Sequence, residues 1–186
     1  MTSPEERFTA LYQRHYEDIA RYVRRRAPDV ECRDAVAEVF LIGWRRFAEV
    51  ERARKPLPWL YGVARRVLAN EFRSAGRARS LLDRIARHTG PAETPNHAEE
   101  TAVRVSVAAW FDRLPEPDRE ALRLIAWECL STTDAALALG CSPAALAMRL
   151  HRLRRRLRRE MVVTAPRSRA KELVDLSTPL FRTGGE

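Results

Sequence analysis

Apolar residues recur at helical spacing in two separate blocks of the chain. In the first block, this spacing predicts one helix over residues 5–26 and a second over residues 33–50. Pro28 ends the first of these helices, because proline cannot donate a backbone hydrogen bond. A third helix is predicted over residues 57–88, with two prolines at its start, where proline is tolerated.

The second and third predicted helices each carry one continuous apolar face. Such a face predicts burial against neighbouring helices. On the second helix the face comprises Val36, Phe40, Gly43, Trp44 and Phe47. On the third helix it comprises Leu60, Val63, Ala64, Val67 and Leu68. The first block is therefore predicted to form a three-helix bundle.

The second block is made of shorter helical segments. Helices are predicted over residues 103–114, 115–130 and 132–139. Ser131 or Thr132 is expected to cap the third of these, because serine and threonine oxygens accept the unpaired N–H groups of a helix start. Acidic residues in the first turn of the middle helix complement its dipole.

A longer basic helix follows a turn that contains Gly140. It begins at Pro143, a position at which proline starts a helix well. Its inward stripe is made of Leu146, Leu150, Leu153 and Leu157. A short helix, a turn of three to four residues and a second helix form the helix-turn-helix pattern, whose second helix enters the DNA major groove.

These elements predict an all-α fold of two small helical domains. The three-helix domain is assigned to residues 1–88 and the helix-turn-helix domain to residues 103–160. Residues 89–102 contain two prolines and no apolar pattern, which predicts a flexible linker. The tail, residues 161–186, lacks sustained periodicity and is expected to be flexible; the alternative is a regulatory segment that covers the second domain.

The net charge of the chain indicates the kind of partner that it binds. The 186 residues include 34 basic and 25 acidic side chains, a formal net charge of +9. Excess positive charge favours binding to polyanions, above all nucleic acid, although a merely basic soluble protein is the alternative. The three cysteines lie far apart without a CxxC pair, so neither a disulfide framework nor a zinc site is expected.

The basic helix is the strongest candidate for a DNA contact. It carries seven arginines between residues 149 and 159, while its leucine stripe packs inward. Its first turns are expected to face base edges and its later arginines to meet phosphates. The predicted contacts are Ser142, Ala144, Ala147, Met148, Arg149, Arg152 and Arg155. A solvated or membrane-surface helix is the alternative, and the latter is weakened by the lack of an aromatic anchor.

A second candidate surface lies on the third helix. Trp59, Arg66, Asn70 and Arg73 share a face apart from the apolar stripe. An exposed aromatic ring beside arginines is typical of surfaces that stack unpaired bases and neutralise phosphates. The alternative is that Trp59 packs against the first helix. The preceding loop adds Arg52, Arg54 and Lys55, and Arg65 lies beside this face.

The second helix has a polar face separate from its core stripe. This face comprises Asp34, Glu38, Leu41 and Arg45, at positions i, i+4, i+7 and i+11. By pattern alone it is an ordinary solvated face with charges at helical spacing.

In their order along the chain, these segments resemble the extracytoplasmic-function (ECF) sigma factors of bacterial RNA polymerase. "RDAVAEVFLIGWRRF" is similar to the family's "EDLVQETFLRAWR", and "LGCSPAALAMRLHRLRRRLR" to its "LGCPVGTVKSRLHRARRRLR". The resemblance covers roughly residues 5–88 and 105–160. It departs from the family pattern at Ala37, and at Ala145 and Ala147, which stand where a threonine and a lysine often touch DNA.

The resemblance implies a function for each surface. The Asp34/Glu38 face would dock on the clamp helices of the polymerase β′ subunit, with the β flap as a further contact. The loop 49–56 and the third helix would hold the melted −10 element, and the basic helix would read the −35 element as duplex promoter DNA. An anti-sigma factor is implied as a further partner. No cofactor, enzyme activity or membrane insertion is expected, and the cytoplasm is the expected location.

Two other functions each fit part of the sequence. A stand-alone helix-turn-helix activator or repressor needs only the second block, and it predicts a dimer on a palindromic site. A metal-dependent nuclease needs clustered carboxylates, for which Asp34 and Glu38 are the best pair, with no third acid beside them in sequence.

Overall fold

The chain is all-helical wherever its structure is described, and it divides into two compact units, Met1–Gly90 and Pro91–Glu186. The computed structural model describes residues 2–28, 31–85 and 107–164, with the side chains of 2–28, 31–74 and 107–160. The helices are α1 (Pro4–Arg26), α2 (Cys32–Arg45), α3 (Phe47–Arg52), α4 (Pro56–Ile85), α5 (107–112), α6 (Glu116–Ala126), α7 (Thr132–Leu139) and α8 (Pro143–Thr164).

Two segments predicted from the sequence lie wholly or partly outside the described residues. The predicted linker, residues 89–102, lies outside the described residues, as does the tail from residue 165 onward. α8 itself extends to Thr164, four residues into the predicted tail. Each added helical residue gains a hydrogen bond, and no glycine or proline interrupts the sequence before Pro166.

In the first unit, α1, α2 and α4 pack against one another around a shared core. All five residues named for the apolar stripe of α4 are buried, as are Val36 and Phe40 of the α2 stripe. Tyr22 of α1 and Tyr61 of α4 meet inside this core, with ring centroids 5.0 Å apart. α1 begins with a capping box, in which Ser3 Oγ accepts the N–H of Glu6 at 3.2 Å and the Glu6 carboxylate accepts the N–H of Ser3 at 2.9 Å. The predicted three-helix bundle is confirmed.

The predicted helix over residues 33–50 is wrong in one respect, because it breaks at Arg46. Arg46 has φ −115° and ψ 29°, so it ends α2 and begins the short helix α3. At about 100° per residue, Val50 in an unbroken helix would lie roughly 80° away from Phe40. The break turns Val50 back into the core, where it is fully buried.

Trp44 is a second correction, since the sequence placed it on the buried face and its side chain is 40% exposed. Trp44 lies at the end of the bundle, where its ring centroid is 5.1 Å from that of Phe8 and 5.9 Å from that of Phe47. These two rings contact the indole without burying it. Val36, Phe40 and Gly43 are buried as predicted.

Replacing Gly43 with alanine should stabilise the first unit by about 0.5–1 kcal/mol, because glycine is the poorer helix former. A Cβ atom at this position would lie 3.6 Å from Leu60 Cδ2 and 3.7 Å from Phe8 Cε2, which is ordinary van der Waals contact. Urea unfolding of the full chain, followed by far-ultraviolet circular dichroism, measures the change. A destabilised Gly43→Ala variant would show that α2 and α4 approach more closely than these distances allow.

In the second unit, α6, α7 and α8 pack together, and α7 and α8 form the predicted helix-turn-helix. Ser131 caps α7, since its Oγ accepts the N–H of Asp134 at 3.1 Å. α7 ends at Gly140, whose φ of 69° lies in the left-handed region that favours glycine. Beyond it, the N–H of Cys141 donates to the carbonyl of Ala136 at 3.0 Å, which closes the turn.

The leucine stripe of α8 is buried against α6 and α7. Leu146, Leu150, Leu153 and Leu157 are between 1% and 6% exposed, as the spacing predicted. Near the other end of this helix, Glu160 accepts hydrogen bonds from Arg113 at 2.9 Å and from Arg156 at 3.1 Å. These bonds connect the end of α8 to the residue that follows α5, and the opposite surface of α8 stays open.

Candidate polymerase and nucleic-acid interfaces

The predicted polar face of α2 lies on the protein surface. Asp34, Glu38, Leu41 and Arg45 are all exposed, and the Leu41 side chain is 47% accessible. Within the described part of the chain, neither carboxylate forms an ion pair. The face therefore offers two carboxylates and an apolar side chain to a partner, while the opposite face of α2 holds the core.

The predicted DNA face of α4 is also exposed over much of its length. Arg66, Asn70 and Arg73 all reach solvent. Arg52, Arg54 and Lys55 are exposed in the segment between α3 and α4. Arg65 differs, because it is half-buried beside the core stripe and its Nε atom is covered.

The indole of Trp59 is half-buried, whereas the sequence predicted an exposed ring. It lies in the first turns of α4, where the guanidinium carbon of Arg46 is 5.8 Å from the ring centroid. Arg46 is held there by Glu49, which accepts its Nε–H at 2.9 Å and its Nη2–H at 2.6 Å. A cation beside an aromatic ring stabilises the orientation of that ring.

A cavity of about 380 Å³ between α2 and α4 brings several predicted residues together. Its floor is apolar, formed by Ile42, Val63 and Val67. Its polar lining comprises Glu38, Arg46, Arg66, Asn70, Glu71 and Arg73. Three residues of the predicted −10 surface therefore meet Glu38 of the predicted polymerase face at one groove.

The first turns of α8 carry the predicted duplex-reading residues on an open surface. Ala144, Ala147 and Met148 are exposed, and so are Arg152 and Arg155. Ser142 has a structural role that the sequence did not show, because its Oγ accepts the N–H of Ala145 at 3.2 Å and caps α8.

Three arginines of α8 are engaged within the second unit. Arg149 Nε lies 3.6 Å from Asp118 Oδ1 of α6. Arg156 binds Glu160 at 3.1 Å. Arg154 is half-buried, and this burial, with Arg158 nearby, lowers the pKa of its guanidinium. Among the later arginines, Arg155, Arg158 and Arg159 are exposed and form no ion pair with the described residues, so they are the candidates for phosphate contacts.

Two residues that shape these surfaces do not stand out in the sequence. Arg46 was expected inside a continuous helix, and the helix break places it against Trp59 and in the cavity lining. Asp118 was interpreted only as an acid that complements the dipole of α6, and it also pairs with Arg149. Neither contact has a periodic signal in the sequence, since each joins residues of different helices.

The described residues hold no cluster of three or more metal-binding side chains. Cys32, Cys129 and Cys141 are free thiols. Among the described helices, none combines the length and apolar character needed to span a bilayer.

Each of the two units matches a known protein family. Residues 11–78 match the family described as Sigma-70 region 2, and residues 105–157 match the family described as Sigma-70, region 4. The ECF RNA polymerase sigma factor SigD of Mycobacterium bovis is 30% identical over 155 residues, which cover 77% of this chain and 72% of SigD. The chain belongs to the ECF sigma factors. It directs promoter recognition through regions 2 and 4.

Two other sigma factors are similar to this chain, one over most of its own length and one over about a third of it. SigL of Mycobacterium tuberculosis, also an ECF RNA polymerase sigma factor, is 29% identical over 152 residues, covering 80% of this chain and 85% of SigL. The probable RNA polymerase sigma factor RfaY of Xanthomonas campestris is 31% identical over 137 residues, covering 69% of this chain, and the match spans 34% of the length of RfaY.

A solved structure shares the fold. The sigma factor RpoE of Bartonella quintana, crystallised in complex with the anti-sigma factor NepR, superposes with a TM-score of 0.57 at 19% identity. The match covers 85% of this chain and 98% of RpoE. The family is non-catalytic, so the sigma factor assignment displaces both the nuclease and the stand-alone regulator.

Proposed function

We propose that this sigma factor divides promoter recognition between two surfaces and attaches to core RNA polymerase through a third. The face formed by Asp34, Glu38, Leu41 and Arg45 docks on the clamp helices of the β′ subunit. The segment 52–55 and the exposed side of α4 hold the melted −10 strand. The exposed side of α8 binds the duplex −35 element, and the β flap contacts region 4.

The main supporting observation is the difference in charge between two exposed helix faces of the first unit, which adjoin at the groove that Glu38 shares with Arg66, Asn70 and Arg73. The carboxylates of Asp34 and Glu38 lie on one exposed face of α2, whereas Arg66, Asn70 and Arg73 lie on an exposed face of α4. Acids beside DNA would repel phosphates, so the α2 face suits a protein partner and the α4 face suits DNA. Trp59 supplies the aromatic ring on which an unpaired base can stack.

Membership of the family supports a proposal about partners and location. NepR binds RpoE in the solved complex, and we propose that an anti-sigma factor likewise covers the DNA-binding surfaces of this chain. Such a partner would need to be displaced before the promoter is engaged. We propose that the factor acts in the cytoplasm, where polymerase and promoter DNA are found, without inserting into a membrane.

Run-off transcription with core RNA polymerase on a set of genomic promoters tests this function. We expect the wild-type chain to start RNA synthesis, and Trp59→Ala to lower open-complex formation roughly tenfold, because one stacked base is worth ~1–3 kcal/mol. Initial binding to duplex promoter should change far less. A promoter with an unpaired −10 bubble should restore open-complex formation by the Trp59→Ala variant, because the strands of this template are already separated.

Phe72→Ala is the matched control, because Phe72 is an exposed aromatic of the same helix on a different side from Arg66. It should initiate like the wild type. Equal losses in initial binding and in opening for Trp59→Ala would remove its role in holding the separated strand. A folded wild-type chain that never starts transcription with core polymerase would overturn the proposed function as a whole.

A further inference from the structure

The side chain of Arg149 in α8 lies beside a carboxylate of α6. Arg149 Nε and Asp118 Oδ1 are 3.6 Å apart, and the two side chains are 36% and 25% exposed. α6 and α8 are packed against each other, so the pair joins two rigid elements of the second unit. The contact is therefore placed by the fold and reaches the surface at the start of the proposed DNA-reading helix.

Arg149 is unusual among the first residues of α8 because its side chain can donate to a base edge. Between residues 142 and 149, the polar side chains are those of Ser142 and Arg149. The Ser142 hydroxyl already accepts the N–H of Ala145. The exposed neighbours Ala144, Ala147 and Met148 carry no side-chain hydrogen-bond donor to the bases. Apart from the single O–H donor of Ser142, direct hydrogen-bonded readout by this part of the helix therefore depends on Arg149.

The position of the carboxylate determines which edge of the guanidinium remains available. A guanidinium has five N–H donors, one on Nε and two on each terminal nitrogen. The Asp118 carboxylate lies on the Nε side, at 3.6 Å, so the two terminal nitrogens stay available to a second acceptor. Paired donation from an arginine to guanine O6 and N7 is the most common specific contact in the major groove.

We propose that Asp118 is a positioning residue that sets a guanine preference within the −35 element by holding Arg149 ready for paired donation to one base. This inference rests on the proposed reading of −35 DNA by α8. Without Asp118, Arg149 samples more rotamers and contacts phosphates and bases alike, so selectivity falls. The same loss removes a negative charge near DNA, so general affinity for DNA does not fall with it.

A promoter library tests whether Asp118 affects base preference at the −35 element. Holoenzyme assembled from the full chain and core polymerase transcribes templates with a fixed −10 element and a randomised −35 element, and the transcripts are sequenced. We expect the wild type to enrich guanine at one −35 position and Arg149→Ala to lose that enrichment. Asp118→Asn should lower it roughly fivefold at the same position and leave other positions unchanged. Asp118→Glu, which keeps the charge, should restore part of it.

Glu116→Gln is the matched control. Glu116 is an acid in the same first turn of α6, but it pairs with Arg119 at 2.8 Å and with Arg123 at 2.7 Å. Its loss should leave the guanine enrichment unchanged.

Unchanged enrichment in Asp118→Asn, or an equal fall in Glu116→Gln, would overturn the proposal. If wild-type holoenzyme initiates but Arg149→Ala keeps the guanine preference, the proposal fails and the sigma function stands. If no template is transcribed, both fail together.

Discussion

Replacing Leu150 with alanine is expected to destabilise the second unit by about 3 kcal/mol, through the lost apolar contacts and the cavity that remains. Leu150 is 3% exposed and lies at the centre of the leucine stripe of α8. Small domains have stabilities of only ~5 kcal/mol, so this change removes more than half of the total. Binding to −35 duplex should fall in proportion to the loss of folded second unit.

Urea unfolding of the full chain measures this effect. In a background in which Trp44, Trp59 and Trp127 are replaced with phenylalanine, the fluorescence of Trp110, which is 4% exposed, reports on the second unit. Leu137→Ala is the matched control, because Leu137 lies on α7 in the same unit but is 51% exposed. It should change the free energy of unfolding by less than about 0.5 kcal/mol. Similar losses for both variants would contradict the packing of α8 described above.

The second large effect is expected at the polymerase face. Substituting both Asp34 and Glu38 with lysine should weaken association with core RNA polymerase at least ~100-fold, because each uncompensated charge at a docked interface costs ~2–5 kcal/mol. Both side chains are exposed, so the change in fold stability should be small, about the 0.3–1 kcal/mol that the dipole of α2 loses with Asp34. Fluorescence anisotropy of the labelled chain, titrated with core polymerase, measures the Kd.

A control with the same change in net charge separates docking from general electrostatics. Glu17 and Asp112 are exposed acids on α1 and α5, and neither belongs to the α2 face. The Glu17→Lys/Asp112→Lys variant should bind core polymerase within a few-fold of the wild type at physiological salt, where separated surface charges are screened. Equal weakening of the two double variants would mean that total charge, rather than the α2 face, governs association.

Local sequence signals predicted most of the helices. α7 begins and ends at the predicted residues, with Ser131 as its cap and Gly140 as its stop. The leucine stripe of α8 and the apolar stripe of α4 are buried as their spacing required. These features depend on residues within a few positions of one another, so they can be deduced from periodicity and capping preferences.

The candidate surfaces were predicted less completely. Exposure of Asp34, Glu38, Arg66 and Arg73 follows from their positions opposite the core stripes. The environment of Trp59 did not follow, since its partner Arg46 is placed by the break between α2 and α3. The partial burial of Arg65 and Arg154 also escaped prediction, because both residues flank an apolar stripe and a neighbouring helix decides how far they are covered.

The sequence by itself determined that this protein is helical, basic and built from two apolar-patterned blocks, and its motifs in order identified the family. Only the tertiary structure decided that Trp44 stays at an open end of the bundle and that Asp118 meets Arg149. The physical reason is the range of the forces involved. Helix formation and capping are governed by neighbours along the chain, whereas burial and ion pairing are governed by neighbours in space, which helix packing alone brings together.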